Sequence, residues 1–468
     1  MNNRHHLQAV APPSRALGEN LRQAELRAPR YTSYPTALEF TGQVGPAALL
    51  EQMDKTNQEP IPAALSLYVH LPFCAAACFY CGCNRVISRS AQRRSDYLDL
   101  IEREISVLAP HLDRDRPVVQ IHFGGGTPNS YRPLELARLI RTLSSQFSIH
   151  ADCEISMEVD PRQYQPGDAL AWAALGINRI SLGVQDVSRE VQQAINRLQP
   201  REQIAELVDE ARKADMHGIN FDLIYGLPRQ TLAGVDDNVD LVALLQPDRI
   251  AVFHYAHLPQ RFPAQRVIDE SELPGLATRL AMQARYSELL TQLGYRHIGM
   301  DHFSHPDDSL ARALAQGTLQ RNFQGYSTAA GSDIIGLGVS AISSVGRLYA
   351  QNHSDLTAYR RALENKQLAT QRGWHRSDDD LQRHAIIQQV MCQQRIDFNA
   401  FGGARAFHTR YAKALGQLRQ LDPSGQLVRI ETEALYILPA GRNVLRLIAR
   451  CFDRYAARRN TQQLARAV

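Results

Sequence analysis

Apolar segments with the character of buried strands alternate with amphipathic helical segments from residue 64 to residue 253. The apolar segments predict strands at 64–69, 118–123, 153–159, 179–184, 219–224 and 249–253. The helical periodicity predicts helices at 95–109, 133–146, 188–196, 201–215 and 234–245. Strands separated by helices form a parallel sheet or barrel, in which ligands gather at the carboxyl ends of the strands. The alternation therefore predicts an α/β fold with its site at one rim.

Composition and charge exclude several classes of protein. Of the 468 residues, 44% are hydrophobic and 21% are charged, with a formal net charge of +4. That small charge indicates neither a nucleic-acid-binding nor a membrane-surface protein. No apolar run approaches the roughly 18 residues of a membrane span. We expect a cytoplasmic protein of two to three domains without a nucleic-acid or membrane partner.

Four cysteines lie within ten residues directly after the first predicted strand, at Cys74, Cys78, Cys81 and Cys83. Thiolates this close on one loop can converge on an inorganic cluster. A four-iron cube held by only three nearby cysteines keeps one iron free for a substrate or cofactor. The spacing of the first three cysteines makes such a cluster the first functional hypothesis.

The alternative is a structural zinc site, in which two pairs of cysteines close a tetrahedron. The sequence lacks a second pair, because Cys153, Cys392 and Cys451 are isolated from one another. A disulfide framework is disfavoured by an odd, uneven set of seven cysteines in a long chain. The free thiols indicate a reducing compartment.

Polar and glycine residues follow the other predicted strands. The glycine-rich segment 124–128 follows the second strand, Glu158 and Asp160 end the third, Gln185 ends the fourth, and Asp222 lies late in the fifth. Each feature alone is more often a turn or a cap than a ligand site. Their location at one rim of the sheet is the stronger argument for a ligand site. Glycines there would allow close approach of a charged ligand, and carboxylates suit hydroxyl or amino groups.

The pattern Cys74-x-x-x-Cys78-x-Tyr80-Cys81, followed by a glycine-rich strand end, resembles the radical S-adenosylmethionine enzymes. That resemblance implies a 4Fe–4S cluster whose unique iron is chelated by the amino and carboxylate groups of S-adenosylmethionine. An electron from the cluster then cleaves the sulfonium to a 5′-deoxyadenosyl radical. The protein's part is to orient the reactants and to exclude groups that quench the radical.

The match narrows to one family over nearly the whole chain. The segments that resemble the oxygen-independent coproporphyrinogen III oxidases lie at 29–36, 79–84, 158–161, 183–186, 222–228 and 321–326. The resemblance implies conversion of two propionate side chains of coproporphyrinogen III to vinyl groups, giving protoporphyrinogen IX without oxygen, in haem biosynthesis. It also implies an unidentified electron donor and acceptor, and we expect a monomer.

The family resemblance further implies a partial (β/α)6 barrel with an N-terminal arm and a smaller, mostly helical C-terminal domain. The expected divisions are an arm at 1–58 covering the active site, a core barrel at 59–293, an extension at 294–355 closing the cofactor site, and a C-terminal domain at 356–468. In the last, helices are predicted at 378–395 and 405–420, a hairpin at 427–430 and 434–437, and a helical face within 444–455. A winged DNA-binding module is disfavoured there, because interleaved aromatics and a domain-wide basic excess are lacking.

Residue roles carry over position by position from the resemblance. It implies that the cluster ligands are Cys74, Cys78 and Cys81. It implies that the iron-bound S-adenosylmethionine contacts Tyr68, Gly125, Glu158 and Ile342. A second copy, which the family also binds, would contact Tyr80, Gly126, Thr127, Gln185, Arg197, Asp222 and Ala256. Cys83 is assigned a supporting, redox or merely structural role, and Arg30 and Arg321 are candidates for pairing with propionates that the reaction leaves intact.

Three other functions remain open on the sequence alone. A haem-binding chaperone on the same scaffold would bind haem without oxidising a porphyrinogen, but such relatives generally lack both the segment 30–35 and the cysteine at position 83. A radical enzyme that methylates and opens haem is the second. A zinc-stabilised structural protein is the third.

Overall fold

A computed structural model of the chain describes residues 26–458 and residue 464. The six predicted core strands and the predicted hairpin lie close to their expected positions, and further strands were not predicted. In chain order the strands are β1 Leu65–Leu71, β2 Phe73–Cys74, β3 Val86–Ile87, β4 Pro117–Gly125, β5 Ser148–Val159, β6 Arg179–Gln185, β7 Gly218–Tyr225, β8 Arg249–His254, β9 Arg296–Gly299, β10 His302–Ser304, β11 Gln320–Asn322, β12 Gly325–Ser327, β13 Asp333–Leu337, β14 Ile342–Val345, β15 Leu348–Asn352, β16 Thr370–His375, β17 Arg395–Asp397, β18 Val428–Ile430 and β19 Ala434–Ile437.

The main feature of the fold is a sheet of twelve strands, in the order β16-β15-β14-β13-β1-β4-β5-β6-β7-β8-β10-β9. The strands β1, β4, β5, β6, β7 and β8 are neighbours and run parallel. The predicted alternation is confirmed, because these six strands are the six that the sequence indicates.

The helices that connect the parallel strands share one hydrophobic core with the sheet, and the described ranges contain fifteen α-helices in all. They are α1 Pro46–Asn57, α2 Ala91–Leu108, α3 Pro133–Gln146, α4 Asp168–Ala174, α5 Arg189–Ala194, α6 Arg201–Lys213, α7 Leu232–Leu245, α8 Leu276–Gln292, α9 Ser309–Gln316, α10 Leu356–Glu364, α11 Asp378–Gln388, α12 Ala404–Arg410, α13 Ala412–Leu421, α14 Pro439–Arg442 and α15 Leu445–Cys451.

Two helices that follow parallel strands were not predicted from the sequence. Helix α4 has only seven residues, too few to show a helical period in the sequence. Its N-cap residue is Gly167, with a φ of 94°. Helix α8 is longer and buries Met282, Tyr286 and Leu290, which have helical spacing. With these two helices, every parallel strand from β4 to β8 is followed by a helix.

Beyond the alternating region, the sheet is extended on both sides. Strand β13 pairs in parallel with β1, and β14, β15 and β16 then follow as antiparallel strands. This arrangement sets residues 333–337 beside strand β1, from which they are distant in sequence. On the opposite side, β10 and β9 pair antiparallel with β8 and with each other.

The C-terminal region differs from its prediction in three details. The predicted helix at 378–395 ends at Gln388, continues as a π-helical turn to Gln393, and gives way to strand β17. The predicted helix at 405–420 is two helices that meet at Tyr411. The hairpin is confirmed as β18 and β19, and β17 adds an unpredicted third strand to it.

The described part of the N-terminal arm packs on the C-terminal region. Tyr31 donates a hydrogen bond to the Asp453 carboxylate at 3.0 Å, and the Tyr34 hydroxyl accepts one from the Arg454 amide at 3.0 Å. Both tyrosines are buried in a core that they share with α11, α13 and α15, whereas the sheet and its helices form a separate core. The divisions at residues 58, 293 and 355 stay predictions.

A search of the helices in the described ranges found none that is both long enough and apolar enough to cross a membrane.

Candidate active site

The cysteine loop begins where strand β1 ends and is tied down along its length. Strands β2 and β3 pair in parallel at its two ends. Between them, the Phe79 amide donates to the Ile195 carbonyl at 3.0 Å, and the Asn196 side chain donates to the Ala77 carbonyl at 2.8 Å. These bonds fix the loop against the segment that follows helix α5, so the thiols have a defined position at the carboxyl ends of the strands.

The thiols and most of the predicted site residues line one cavity of about 260 Å³. The predicted residues among its walls are Cys74, Cys78, Tyr80, Cys81, Cys83, Gly125, Gly126, Thr127, Glu158, Gln185, Arg197 and Asp222. The fold therefore brings together residues from several strand ends and loops that the sequence assigned to one site.

A second cavity of about 490 Å³ adjoins the first, because Cys83, Gly125 and Glu158 line both. It brings in Tyr68 from β1 and Ile342 from β14. Phe323 and Gln324, which lie between β11 and β12, complete its wall. Neither was predicted as a site residue, although both belong to the segment 321–326 that carries the family resemblance.

Ala256 is the one predicted S-adenosylmethionine contact that lines neither cavity. Its carbonyl accepts a hydrogen bond from Gln265 at 3.2 Å, and the same amide donates to the Tyr80 carbonyl at 2.9 Å. Gln265 thereby connects the loop after β8 to the cysteine loop. Arg30 and Arg321 also lie outside these two cavities and line two others.

The glycine-rich end of β4 packs against Glu158 of β5. The Gly125 amide donates to Glu158 Oε2 at 3.0 Å, and Gly125 has a φ of 115°. A Cβ at this position would lie 2.5 Å from the His70 ring, so only glycine fits. His122 approaches the other carboxylate oxygen at 3.5 Å.

This environment keeps Glu158 ionised. Burial would raise its pKa, but the hydrogen bond and charge of His122, together with the Gly125 amide, hold that pKa below its usual range. His122 is in turn held by the Ser156 hydroxyl at 2.7 Å. His122 was missed as a site residue, and its place two residues before Gly124 on the same strand was the available signal.

Two arginines surround the Cys78 sulfur. Arg162 Nη2 lies 3.4 Å and Arg197 Nη1 lies 3.6 Å from Cys78 Sγ, and both guanidiniums pair with Asp160, at 2.7 Å and 3.2 Å. The two cations hold the pKa of Asp160 below its usual range against the effect of burial. Arg162 was missed in the sequence, where it is an ordinary charged residue just after the Asp160-Pro161 turn.

The other two thiols differ in their protonation. Burial raises the pKa of Cys74 to about 11, although a hydrogen bond from Thr127 at 3.2 Å opposes the shift. Hydrogen bonding from Cys83, outweighing burial, lowers the pKa of Cys81 to about 6. Cys81 is therefore the more readily deprotonated of the two. Cysteine ligates a metal as the thiolate, so Cys81 is the thiol better prepared to do so.

The residues present fit an anionic iron–sulfur cluster. Within residues 26–458 and 464, no three His, Cys, Asp or Glu side chains are close enough to share a single metal ion. A four-iron cube instead takes each thiolate on a different iron. The guanidinium Nε atoms of Arg85 and Arg197 line the same cavity, are buried, and have no hydrogen-bond partner in the described chain. Such donors suit the negative charge of a cluster with its thiolates.

Asp222 lines the same cavity as the cysteine loop. Its carboxylate accepts hydrogen bonds from Ser181 at 2.8 Å and Asn220 at 2.9 Å. Burial raises its pKa to about 6, and the nearby Glu158 charge contributes in the same direction. Ser181 and Asn220 were not predicted. Ser181 lies two residues before Gly183 on β6, and Asn220 lies two residues before Asp222 on β7, so each shares a strand face with a residue of the cavity wall.

Comparison with known proteins finds close relatives along the whole chain. The family model of the radical SAM superfamily matches residues 68–242. The chain is 44% identical over 454 residues to the oxygen-independent coproporphyrinogen III oxidase of Pseudomonas aeruginosa, covering 96% of this chain and 98% of that one. It is 42% identical over 443 residues to the Escherichia coli protein of the same name, covering 94% and 96%.

The fold has a solved counterpart. The structure of coproporphyrinogen III oxidase from Escherichia coli, described as a radical SAM enzyme, superposes with a TM-score of 0.86 at 40% identity. The match covers 92% of this chain and all of the other.

Proposed function

Because the chain belongs to the family of oxygen-independent coproporphyrinogen III oxidases, within the radical SAM superfamily, we propose that its cysteine loop and the adjoining strand ends are the site of that family's reaction. The enzyme oxidatively decarboxylates two propionate side chains of coproporphyrinogen III to vinyl groups, giving protoporphyrinogen IX in porphyrin biosynthesis. Its cofactors are a 4Fe–4S cluster and S-adenosylmethionine.

The cofactors supply the one-electron chemistry that produces a 5′-deoxyadenosyl radical, and the chain supplies binding and orientation. Cys74, Cys78 and Cys81 are the proposed cluster ligands. Their convergence on one cavity with Arg197, Glu158 and the β4 glycines is the observation that carries the proposal.

Each of the two cavities is proposed to hold one copy of S-adenosylmethionine. Tyr68, Gly125, Glu158 and Ile342 lie on the side of the larger cavity and are proposed to contact the copy that reacts. The ionised Glu158 carboxylate suits the ammonium group or a ribose hydroxyl, and Gly125 lets the ligand approach the backbone.

A second group of residues is proposed to contact the second copy. They are Tyr80, Gly126, Thr127, Gln185, Arg197 and Asp222, which line the smaller cavity. Arg197 suits a carboxylate, whereas Asp222 suits a hydroxyl or an ammonium group. Ala256 is placed in this group by resemblance alone, and Cys83 is proposed as a supporting thiol beside Cys81.

The remaining assignments follow from the family and the residues. We propose a cytoplasmic monomer that takes electrons from an unidentified donor and passes electrons from the substrate to an unidentified acceptor. The arm at 1–58, the core at 59–293, the extension at 294–355 and the C-terminal domain at 356–468 are the proposed divisions.

An anaerobic assay tests the proposed function. Reconstituted protein with S-adenosylmethionine, a reductant and coproporphyrinogen III is expected to yield protoporphyrinogen IX and 5′-deoxyadenosine together. Cys78→Ala is expected to abolish both products, whereas the control Cys153→Ala, at a buried cysteine outside the cavities, retains them. Normal turnover by Cys78→Ala would refute the ligand assignment, and haem binding without turnover by the wild type would favour a chaperone.

A further inference from the structure

A third cavity, of about 320 Å³, lies beside the cofactor cavities and has no assigned role. Its walls come from the N-terminal arm at Thr32, from β11 and the loop after it, from the β13–β15 strands, and from Arg376, His384 and Gln388 at helix α11. Residues from the beginning, middle and end of the chain therefore meet around it.

The cavity contains polar groups that the described protein does not satisfy. Arg321 is only 4% exposed, and its Nη1 has no hydrogen-bond partner among residues 26–458 and 464. The buried Arg376 Nε and His384 Nδ1 atoms likewise have no partner in the described chain. Nδ1 is a donor in the tautomer that carries the imidazole proton there. A buried N–H without an acceptor costs about 1–3 kcal/mol, more for a charged group. Three such atoms on the walls of one cavity point to a ligand that accepts hydrogen bonds.

The other charged residues in the cavity do not neutralise these groups. Asp333 is held by Arg116 at 2.6 Å and accepts from the Gly346 amide at 2.8 Å. Glu59 is exposed, and within the described chain it forms no ion pair with Arg321 or Arg376. Asp301 acts on Arg321 electrostatically from outside the cavity. Neither Arg321 nor Arg376 forms an ion pair with a carboxylate on the cavity wall in the described chain.

The cavity is next to the proposed site of S-adenosylmethionine. Phe323 and Ile334 line both this cavity and the larger cofactor cavity. On strand β14, Ile342 lines the cofactor cavity and Ser344 lines this one. Residues two apart on a strand lie on the same face, about 7 Å from each other. The two cavities therefore share a wall at Phe323 and Ile334, so a carboxylate held in one lies beside the proposed cofactor site in the other.

We propose that this cavity is a carboxylate subsite, in which Arg321, Arg376 and His384 hold a propionate of the tetrapyrrole other than the one being oxidised. The inference rests on the proposed function and deepens it. The substrate carries four propionates and loses two, so at any moment some carboxylates must be held away from the radical. Arginine is the natural partner, since its guanidinium matches a carboxylate in geometry and charge.

His384 adds selectivity to the subsite. Burial, together with the Arg376 charge, lowers its pKa to about 3, so the imidazole is neutral in the absence of an anion. A neutral imidazole donates one hydrogen bond to a carboxylate without adding a buried charge. Arg376 itself is positioned by the Tyr349 hydroxyl, to which it donates at 3.3 Å, and by the Gly346 carbonyl.

Two probes that share one macrocycle and differ in the charge of their side chains test the subsite. Holoenzyme is titrated anaerobically with coproporphyrin III and with its uncharged tetramethyl ester, and fluorescence gives the Kd of each. Arg376→Gln and, separately, His384→Gln are expected to weaken binding of the tetra-acid, about tenfold or more for the arginine and less for the histidine. Neither is expected to change binding of the ester. Arg347→Gln is the matched control, because Arg347 is exposed, pairs with Asp378 and does not line the cavity.

Each outcome decides the proposal. Unchanged tetra-acid binding in both variants, or an equal loss for acid and ester, would overturn it, because a structural defect weakens both probes alike. His384→Gln removes none of the hydrogen bonds that position Arg376, so it keeps the test decisive if Arg376→Gln fails to fold. Failure of the proposed function is seen separately, as absence of protoporphyrinogen and 5′-deoxyadenosine from the wild type in the turnover assay.

Discussion

The Gly125 amide and the Glu158 carboxylate are joined by a 3.0 Å hydrogen bond that ties the end of β4 to the end of β5. His122 lies 3.5 Å from the other oxygen of the same carboxylate. The carboxylate is thus oriented from two sides before any cofactor binds. Preorganised groups of this kind lose little entropy when they bind a ligand.

Glu158→Gln is expected to weaken binding of S-adenosylmethionine about tenfold, because a charge-assisted hydrogen bond is roughly twice as strong as a neutral one. The substitution removes the negative charge and leaves an NH2 group facing either the Gly125 amide or His122. Equilibrium dialysis on reconstituted protein measures the change. Glu206→Gln, at an exposed residue of helix α6, is the control. Equal affinities of Glu158→Gln and wild type would remove Glu158 from the contact set.

The framework of this site follows from the sequence because it depends on local patterns. Strand β1 is predicted by its apolar run, and the cysteine loop must follow it because the two are contiguous. Glu158, Gln185 and Asp222 share a rim once the strands are parallel. These inferences need only the alternation of elements, which the twelve-stranded sheet confirms for its six central strands.

The rest of the site depends on contacts between distant segments. Arg162 looks like any charged residue until the fold brings it 3.4 Å from Cys78, 84 residues away. The subsite brings together Arg321 on β11, Arg376 just after β16 and His384 on helix α11, and no periodicity in the sequence reveals that these segments meet. Ala256, carried over by resemblance alone, is the predicted S-adenosylmethionine contact that the two cavities leave out.

Gly125→Ala is expected to reduce both stability and S-adenosylmethionine binding. The backbone φ of 115° is unfavourable for alanine, and the new Cβ would lie 2.5 Å from the His70 ring. The expected loss is about 2–4 kcal/mol of unfolding free energy, with at least a roughly tenfold weaker Kd.

Gly167→Ala separates the two causes of that loss. Gly167 also has a positive φ, of 94°, but nothing lies within 4 Å of its Cβ position. The Gly167→Ala variant is expected to lose about 1 kcal/mol of unfolding free energy and to bind the cofactor normally. Urea unfolding under anaerobic conditions measures both variants, and equal losses would show that the His70 contact is unimportant.

Arg162→Gln is expected to make the reduction potential of the cluster more negative. Reduction adds an electron next to Cys78, and the Arg162 guanidinium favours the more negative state electrostatically. Potentiometric titration followed by electron paramagnetic resonance measures this directly, without relying on turnover. Arg189→Gln, at an exposed residue of helix α5, is the control. A potential equal to that of the wild type would show that Arg162 acts only through Asp160.

Tyr31→Phe tests the attachment of the arm. The substitution removes the hydroxyl that donates to the buried Asp453 carboxylate at 3.0 Å and keeps the aromatic ring. The expected loss is about 1–3 kcal/mol of unfolding free energy. Limited proteolysis is expected to cut the arm earlier in this variant than in Tyr436→Phe, at a tyrosine on β19 far from the arm in sequence. Identical stability and cleavage would mean that the arm is held by other contacts.

Asp222→Asn is expected to stabilise the apoprotein at neutral pH and to have no such effect in acid. Burial raises the folded-state pKa of Asp222 to about 6, above the ordinary value of about 3.9. The protonated carboxyl is therefore favoured in the folded state, and this contribution to stability is complete below about pH 4 and is lost as pH rises through about 6. Asparagine is uncharged at every pH and escapes that loss, which amounts to up to about 3 kcal/mol. Thermal unfolding from pH 4 to pH 8 measures the difference between variant and wild type, and a difference that does not grow over this range would show that Asp222 is ionised in the folded protein throughout.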